Sequence, residues 1–398
     1  MKKLSDEKIF FVAAKRNPFG TYLGSLEKLS ATKLGVHASK AALTSAHLAP
    51  EHIEHVIFGN VLQTSKDALY LARHIGLECE IPNSVPALTV NRLCGSGFEA
   101  IIQGARLLSS KESQCVLVGG AENLSQSPHI IRGARKGLSL GQGKLEDSLW
   151  ESLNDTYVNM PMAITAENLA IKYEISQDEV DEYSVLSQTR YAQALKEGKY
   201  SDEISPIECG SSKRPQILEH DEHPRPTTTL EALKKLPKVF KADGVIHAGA
   251  ASGICDGAAA LIMCRESFAM KHGLNPLGEL INFGIAGCDP KIMGIGPVPA
   301  IKQCLEKSQL DLADMSMIEV NEAFAPQVLA VKKELKIDEN KLNIHGGAIA
   351  IGHPLGASGA RISAHLLHSL KTSSNALGLG SACIGGGQGI ALLIQSFL

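Results

Sequence analysis

A long-range internal repeat is the feature that most constrains how this chain can fold. The stretch SGFEAIIQGARLL, which begins at Ser96, resembles SGARISAHLLHSL, which begins at Ser358. An apolar run follows each copy, 22 residues from Ser96 to Val118 and 21 residues from Ser358 to Leu379. Upstream, VIFGN and MIEVN lie 40 and 41 residues before the two serines. Three matched elements in the same order predict a duplicated βα unit, whose two halves pack as a pseudo-twofold pair with loops of both halves meeting between them.

Strand and helix patterns alternate along the whole chain, and this alternation predicts an α/β architecture. Short β-branched or apolar runs predict buried strands, and longer amphipathic stretches between them predict helices. The predicted strands cover 9–13, 55–58, 115–118, 259–264, 317–320, 376–379 and 389–394, and the predicted helices 31–45, 97–109, a stretch from about 166, 177–197, 298–308 and 358–369.

A segment of different composition separates the two halves. It contains the polar, glycine-rich SQSPHIIRGARKGLSLGQGKLEDSLW, a long amphipathic pattern, and the proline- and charge-rich DEHPRPTTTLEALKKLPKVFKADG. Loops on a rigid scaffold often carry substrate contacts, although a solvated insertion without a role fits the composition too. We therefore expect a first half at 1–120, an inserted loop domain at 121–248, a return to the first half at 249–275 and a second half at 276–398.

Composition excludes several classes of function. A net charge of −3 gives no basic field for nucleic acid or an anionic membrane. The nine cysteines include no CxxC pair, which indicates reduced thiols, and the 14 histidines include no HExxH, so no metal site is predicted. The apolar run at 9–14 is too short to cross a bilayer. We expect a cytoplasmic protein without membrane insertion.

Cys94, in VNRLCGSG, lies between a mostly apolar stretch that predicts a buried strand and a glycine-rich turn that opens a helical pattern. Cysteine can pack there as a small hydrophobic residue. Alternatively, the turn presents a thiol at a helix N-terminus, where the thiolate is favoured. The motif by itself leaves both interpretations open.

Three further polar side chains lie at strand ends or beside glycines in the second half. His353 lies in the glycine-rich loop GGAIAIGHPLGASG, and Cys383 precedes the run that contains Gly385. Asn321 and Glu322 follow the strand pattern in IEVNEAFA. Glycine at such positions lets backbone approach a ligand closely. Taken singly, His353 fits a loop histidine, Cys383 a core thiol and Asn321 a helix cap.

Six motifs together resemble the thiolase family over nearly the whole chain: VNRLCGSG, AGAASGICDGAAA, MGIGPVPA, VNEAFA, GGAIAIGHPLGASGAR and SACIGGGQGIA. LEDSLW, MPMAITAEN, DEHPRP and CDPKIMGIGPVP are most similar to the 3-ketoacyl-CoA thiolases of mitochondrial type, a branch close to the acetyl-CoA acetyltransferases. The resemblance implies duplicated βα halves that form a layered core of two sheets with helices, plus an inserted loop domain. It also implies an acyltransferase that joins or splits acyl groups carried on coenzyme A.

The resemblance assigns catalytic roles to five residues. Cys94 matches the nucleophile that carries the acyl group as a thioester, and His353 matches the base that takes its proton. Cys383 matches the second cysteine, which moves a proton at the α-carbon or on incoming coenzyme A. Backbone N–H groups of Cys94 and Gly385 would form one oxyanion hole. His353 and a water held by Asn321 would form the other.

The resemblance also implies coenzyme A as co-substrate, with no permanently bound cofactor. Arg225 and Thr228 in PRPTTT, and Ser252 in AASGICDGA, match positions that contact it. His345 departs from close relatives, which have asparagine before GGAIA. The family further implies a homodimer or homotetramer with acyl-CoA and coenzyme A as its partners, and a place in lipid metabolism such as fatty acid β-oxidation.

Two other functions compete with this interpretation. A ketoacyl synthase has the same fold but pairs its cysteine with two histidines, or with histidine and asparagine, so the second cysteine in CIGGG argues against it. A non-catalytic acyl-CoA-binding relative would be expected to lose one of the two cysteines or the histidine. This chain keeps all three.

Overall fold

Strands and helices alternate through residues 5–211, 214–372 and 375–397, which are the residues that this computed structural model describes. The strands are β1 (Ile9–Arg16), β2 (Gly20–Thr21), β3 (His55–Gly59), β4 (Ala87–Val90), β5 (Cys115–Asn123), β6 (His129–Ile131), β7 (Leu145–Asp147), β8 (Asn154–Asp155), β9 (Met160–Pro161), β10 (Ile207–Ser211), β11 (Arg214–Leu218), β12 (Cys255–Arg265), β13 (Gly278–Gly287), β14 (Met317–Val320), β15 (Leu377–Ile384) and β16 (Gln388–Ser396). The helices are α1 (Ala31–Ser45), α2 (Leu71–Glu78), α3 (Ser96–Ser109), α4 (Ser148–Ser152), α5 (Met162–Lys172), α6 (Gln177–Lys196), α7 (Leu230–Leu233), α8 (Glu266–His272), α9 (Pro297–Ser308), α10 (Ala325–Leu335), α11 (Ala348–Ile351) and α12 (Ser358–Ser369).

The strand order repeats between the two halves. The main sheet runs β14-β15-β16-β13-β1-β12-β5-β3-β4, with β2 beside β12. In each half the last strand, β12 or β16, lies antiparallel between the first strand and the strand that follows the central helix. The next strand outward is parallel in both halves, β3 beside β5 and β14 beside β15. The duplicated α/β architecture predicted from the repeat is therefore confirmed.

The two predicted sheets are joined at one corner. Strands β1 and β13 pair antiparallel over two residue pairs, Phe10 with Glu279 and Phe11 with Gly278. The Leu277 N–H also donates to the Phe11 carbonyl at 2.7 Å. Backbone N–H and C=O groups at the edge of a buried strand need hydrogen-bond partners. Strands β1 and β13 supply partners to each other, so the two halves form one continuous sheet.

Helices α3 and α12 form the central layer between the two halves of the sheet. They contact each other, and they share a buried cluster with strands of both halves. Helices α1 and α2 cover the outer face of the first half, and α9 and α10 cover that of the second. Each Ile, Leu or Phe side chain buried in such layers contributes about 1.5–3 kcal/mol relative to an exposed one. Burial of most of their residues therefore fixes α3 and α12 in the middle of the molecule.

The N-terminal ends of α3 and α12 cross backbone to backbone. A Cβ atom on Gly97 would lie 2.6 Å from the Ala360 nitrogen, and one on Gly359 would lie 2.3 Å from the Phe98 nitrogen. Side chains cannot fit at these distances, so glycine is required at both positions. The crossing brings the residues that precede the two helices to one place.

Some predicted elements differ from the structure. The stretch before Cys94, predicted as a buried strand, is β4, which lies at the sheet edge with Leu88 44% exposed. β13 was missed because its sequence, GELINFGIAG, mixes glycine and asparagine into the apolar pattern. α10 was missed because nearly every side of its first seven residues is buried, which removes the amphipathic period.

The segment between the halves packs on the second half. Its helices α5 and α6 contact α10, and Leu169 and Val180 share a buried cluster with Val328. Short hairpins β6/β7, β8/β9 and β10/β11 complete it. The exact domain boundaries stay a prediction. Within the described ranges, no helix has the length and apolar character needed to cross a membrane.

Candidate active site

His353 lies buried in the loop between α11 and α12. Its Nδ1 is 2.5 Å from Ser358 Oγ, and its Nε2 is 3.3 Å from Asn321 Nδ2. The Ser358 hydroxyl donates to the Pro354 carbonyl at 3.0 Å, so it accepts from Nδ1–H. We therefore assign the tautomer with the proton on Nδ1 and the lone pair on Nε2.

The His353 imidazole is neutral at physiological pH. Burial lowers its pKa to about 3, and the positive charge of Arg361 adds to this effect. Both influences disfavour the imidazolium form. Nε2 can thus accept a proton only while a reaction drives the transfer.

Asn321 follows β14 directly, and its backbone N–H donates to the Ser381 carbonyl at 2.8 Å. Its side chain is buried, and Oδ1 has no hydrogen-bond partner among the described residues. The helix that follows begins at Ala325 with Phe324 as its N-cap, so the helix-cap interpretation of Asn321 is wrong. Oδ1 is available to accept a hydrogen bond from a donor that enters the site.

Cys94 lies two residues before α3, and the residue before it, Leu93, has φ of 46°. Its partly exposed thiol packs near Leu62 and Leu355. Burial raises the pKa of this thiol to about 11, although N–H groups of Gly385 and of Cys94 itself offset part of the rise. Of the two interpretations, a thiolate favoured by the helix N-terminus is not supported for the resting protein, because desolvation raises the pKa of this thiol above its usual value.

Cys383 lies fully buried near the end of β15, in a small cluster with Met293 and Ala323. Burial raises the pKa of its thiol well above the usual range, and the nearby thiols of Cys94 and Cys288 raise it further. A thiol from each half of the repeat therefore lies in the same small site.

The turn after Cys383 aims a backbone donor at Cys94. Gly387 has φ of 82°, and a Cβ atom on it would lie 2.4 Å from the Cys288 carbonyl oxygen. Glycine is needed for this conformation. The turn directs the N–H of Gly385, two residues after Cys383, at the Cys94 thiol. The predicted residues Cys94, Cys383 and Gly385 are thus brought together, as are His353 and Asn321.

Glu322 holds the loop that carries His353. Its carboxylate accepts from Tyr183 Oη at 2.8 Å, Ser187 Oγ at 2.7 Å, Asn343 Nδ2 at 3.0 Å and the Ile349 N–H at 3.0 Å. Burial raises its pKa, which these donors partly offset. The sequence placed Glu322 at a strand end but did not predict this role.

Two other supporting residues were missed by the sequence interpretation. Ser358, which fixes the His353 tautomer, stands five residues after it in the quoted motif HPLGAS. Glu122 accepts from the Gly356 N–H at 2.9 Å and the Val61 N–H at 3.0 Å, and burial raises its pKa to about 7. A polar residue inside the apolar run of β5 was the signal that could have identified Glu122.

A cavity of about 470 Å³ adjoins the loop 221–228. Its lining includes His223, Arg225 and Thr228 of this loop. It also includes Ile349, which lies in the segment that leads to His353. Ser252 is not part of the lining that the structure describes; its N–H donates to the Ala323 carbonyl at 3.0 Å, beside the Asn321 turn. Two of the three residues predicted to contact coenzyme A therefore share one cleft.

His345 belongs to a network apart from His353. Its Nδ1 is 3.0 Å from His365 Nε2, and its carbonyl accepts from Tyr200 Oη at 2.5 Å. Burial lowers the pKa of His345 to about 4, with a further contribution from His365. His345, which stands where the resemblance predicts asparagine, thus contacts α12 through His365.

A thiol and a neutral imidazole precede the two crossed helices, and a second thiol lies beside the first. This arrangement defines a class of protein suited to nucleophilic acyl transfer. Comparison with known families agrees with this class. The family model described as "Thiolase, N-terminal domain" matches residues 9–267, and that described as "Thiolase, C-terminal domain" matches residues 274–396. The chain belongs to the thiolase family.

Individual relatives are similar over their full lengths. The human mitochondrial 3-ketoacyl-CoA thiolase is 54% identical over 98% of both chains, and an acetyl-CoA acetyltransferase of Allochromatium vinosum is 43% identical over 98% of this chain and 99% of its own. The crystal structure of the human mitochondrial enzyme in complex with CoA superposes with a TM-score of 0.95, at 54% identity over 98% of both chains.

The predicted cytoplasmic location is wrong. Relatives that are 51–54% identical to the chain are named mitochondrial 3-ketoacyl-CoA thiolases. Unpaired cysteines indicate only a reducing compartment, so composition could not distinguish one such compartment from another.

Proposed function

We propose that this chain is an acyl-CoA:acetyl-CoA C-acyltransferase, which interconverts a 3-ketoacyl-CoA plus coenzyme A with an acyl-CoA plus acetyl-CoA. One observation carries the proposal: the turn that follows β15, two residues after Cys383, aims the Gly385 N–H at the Cys94 thiol. A single strand end thereby provides both a second thiol and a hydrogen-bond donor beside the first.

In the first half-reaction, Cys94 attacks the acyl carbon of the substrate while its proton moves to His353 Nε2. In thiolysis, the C2–C3 bond of the 3-ketoacyl-CoA then breaks, and the acyl group stays on Cys94 as a thioester. The departing enolate of acetyl-CoA takes its proton from Cys383. Because the resting pKa values of Cys94 and His353 disfavour an ion pair, proton transfer accompanies attack instead of preceding it.

In the second half-reaction, the thiol of incoming coenzyme A gives its proton to the Cys383 thiolate and attacks the Cys94 thioester. The bond between the acyl carbon and Cys94 Sγ breaks, the acyl-CoA leaves, and Cys94 regains its proton from His353, which returns to the neutral form. The reverse direction is a Claisen condensation, in which Cys383 removes the α-proton of acetyl-CoA. Two thiols with separate tasks fit a two-step reaction with a covalent intermediate.

Two sets of hydrogen-bond donors can stabilise the negative charge that develops on oxygen during the reaction. The N–H groups of Gly385 and Cys94 already point at the sulfur that would carry the acyl group. His353, once protonated on Nε2, can donate to the enolate oxygen, and a water bound to Asn321 Oδ1 can donate its second proton to the same oxygen. Donors fixed before the reaction are worth about 2.7–4 kcal/mol each in acyl-transfer sites of this kind.

Coenzyme A is the co-substrate in this proposal, held by the loop domain at 121–248. The cleft lined by Arg225 and Thr228 offers a cation and a hydroxyl at its outer part. Its inner part reaches Ile349, four residues before His353. A CoA complex of a 54% identical relative supports this assignment. Ser252 would contact the arm nearer to the reacting thiols.

A homodimer or homotetramer and a role in fatty acid β-oxidation complete the proposal. The edge strand β4 leaves Leu88 44% exposed immediately before the Cys94 turn. An apolar edge strand of this kind favours pairing with another chain. The names of the mitochondrial relatives, which act on 3-ketoacyl-CoA, support the degradative pathway.

A kinetic comparison tests the function. Purified protein should convert acetoacetyl-CoA and longer 3-ketoacyl-CoAs, each with coenzyme A, into shortened acyl-CoA and acetyl-CoA, as followed by chromatography. Retained activity beyond four carbons would make it a 3-ketoacyl-CoA thiolase, and loss beyond four carbons an acetoacetyl-type enzyme. Decarboxylation of malonyl thioesters without any thiolysis would instead support the ketoacyl synthase alternative and reject the proposal.

Acylation of Cys94 by acetyl-CoA should be nearly independent of pH between about 5 and 9. The pKa of His353 lies at about 3 and that of Cys94 at about 11, so neither group titrates in this window. Below it, protonation of His353 removes the base, and the rate should fall. Rapid acid quench at a series of pH values measures the rate, with free cysteine as a control whose acylation should rise about tenfold per pH unit. A bell-shaped profile with midpoints near 6.5 and 8.5 contradicts the prediction.

A further inference from the structure

A buried ionic cluster ties the first strand to the loop that borders the coenzyme A cleft. Arg16, at the end of β1, is fully buried. Its Nη1 and Nη2 donate to the two carboxylate oxygens of Asp221 at 2.7 and 3.0 Å, and its Nε donates to Glu203 Oε1 at 2.7 Å. Burial alone would lower the pKa of Arg16, but the two facing carboxylates raise it above its usual value. The guanidinium is therefore charged and bound by both carboxylates.

Asp221 has four donors in all. Besides the two from Arg16, its Oδ1 accepts from the Phe19 N–H at 2.7 Å and its Oδ2 from Tyr191 Oη at 3.1 Å. A carboxylate held in this way fixes the backbone that carries it. The backbone in question is the start of DEHPRPTTT, four residues before Arg225.

Glu222, the next residue, is anchored too: its carboxylate accepts from the Thr21 and Ser25 N–H groups, each at 3.1 Å, and its own N–H donates to the Phe19 carbonyl at 2.9 Å. Beyond Glu222 the loop has fewer contacts of this kind. His223 Nδ1 is 3.0 Å from the Ala350 carbonyl, and the Arg225 N–H donates to Gln188 Oε1 at 2.8 Å. The exposed Arg225 side chain reaches the cleft without an ion pair among the described residues. Its position therefore depends on where the loop is held.

Burying three charged groups where no chemistry takes place costs free energy that apolar residues of the same volume would not. Such clusters are better explained by the geometry that they impose than by net stability. We propose that Asp221, clamped by Arg16, is a positioning residue for coenzyme A: it holds the loop 221–228 so that Arg225 and Thr228 face the cleft. The inference rests on the function proposed above, because it takes the cleft to bind coenzyme A.

The test uses Asp221→Asn in the full chain, which keeps the size of the side chain and removes its charge. The dissociation constant of coenzyme A, measured by calorimetry, and the KM for coenzyme A in thiolysis should both rise about tenfold, or about 1.4 kcal/mol. Thiolysis of acetoacetyl-N-acetylcysteamine by N-acetylcysteamine should keep its kcat/KM within about twofold, because neither compound has the nucleotide end that reaches Arg225. A purely structural role would lower both activities together.

Asp243→Asn is the matched control, because Asp243 lies in the same segment but pairs only at the surface with Lys241 at 3.5 Å. It should change neither binding nor turnover. Tyr191→Phe removes a single donor to Asp221 and should weaken coenzyme A binding in the same direction by a smaller factor, which keeps the proposal testable if Asp221→Asn does not fold. Combined with Arg225→Ala, Asp221→Asn should cost less than the sum of the two single changes, because Arg225 is one of the two side chains that Asp221 positions.

An unchanged dissociation constant in Asp221→Asn, or equal losses on the full and the truncated substrates, overturns the proposal. Failure of the wild-type protein to cleave either substrate rejects the proposed function instead. The calorimetric comparison still tests the positioning role in that case, since it needs no turnover.

Discussion

Cys383→Ser should still be acetylated at Cys94 by acetyl-CoA, yet lose most of its condensation and thiolysis, by about 10²–10⁴-fold. Serine keeps roughly the size of cysteine, so the turn that aims the Gly385 N–H at Cys94 should stay in place. A hydroxyl ionises far less readily than a thiol, and it therefore cannot exchange a proton with the α-carbon or with coenzyme A at neutral pH. Single-turnover acid quench with peptide mass mapping measures the acetyl-enzyme, and exchange of acetyl-CoA methyl protons into deuterated water measures the missing step.

Cys304→Ser is the matched control for this variant, because Cys304 is equally buried but lies in α9, in the outer helix layer. It should leave acetylation and turnover within about twofold, apart from any loss of thermal stability, which substitution of a buried residue commonly brings. Full turnover in Cys383→Ser would show that Cys383 only packs in the core and takes no part in the reaction. Loss of acetylation in that variant would show that the two thiols do not divide the reaction as proposed.

Cys94→Ala should lose turnover by on the order of 10⁴-fold or more, the scale seen when a covalent nucleophile is removed. No acetyl group should appear on the peptide that contains position 94 after incubation with acetyl-CoA. Coenzyme A should bind with unchanged affinity, because Arg225 and Thr228 lie in a cleft that does not include Cys94. Mass mapping and calorimetry on the same preparation make both measurements.

Cys288 provides the control for the choice of nucleophile, because it is near enough to Cys383 to influence the pKa of that thiol. Cys288→Ser should be acetylated at Cys94 as the wild type is. An acetyl group found on Cys288 or Cys383 in the Cys94→Ala variant, together with retained turnover, contradicts the assignment of Cys94 as the nucleophile.

Most of the fold could be predicted from local patterns and their repetition. The bounds of α1 and α12 agree with the amphipathic stretches that predicted them, and α3 and α12 begin at the two serines of the repeat. Elements were missed where burial on all sides or interspersed glycine removed the period, as in α10 and β13. The pattern of one strand also cannot report its neighbours, so neither the exposed edge at β4 nor the corner joint between β1 and β13 could be predicted.

Motif and family resemblance predicted Cys94, His353, Cys383, Asn321 and Gly385 as site residues. The structure places Cys94, Cys383 and Gly385 together and His353 beside Asn321, and the catalytic roles of these residues stay predictions. The sequence left the protonation state of Cys94 open, because the pKa of this thiol depends on how completely the surrounding residues exclude water. The supports at Glu322, Ser358 and Glu122 were missed, since each acts on backbone or side chains that are distant in sequence or on another element.

The sequence by itself determined the duplicated α/β architecture and the family, and it predicted the site residues, because periodicity, glycine placement and motif order are local properties of the chain. Only the tertiary structure decided which protonation states those residues hold, which side chains fix them, and how Arg16 and Asp221 join two segments 205 residues apart. The physical reason is that desolvation and hydrogen bonding depend on the atoms that surround a group in space. Those atoms come from both halves of the molecule and from the segment between them.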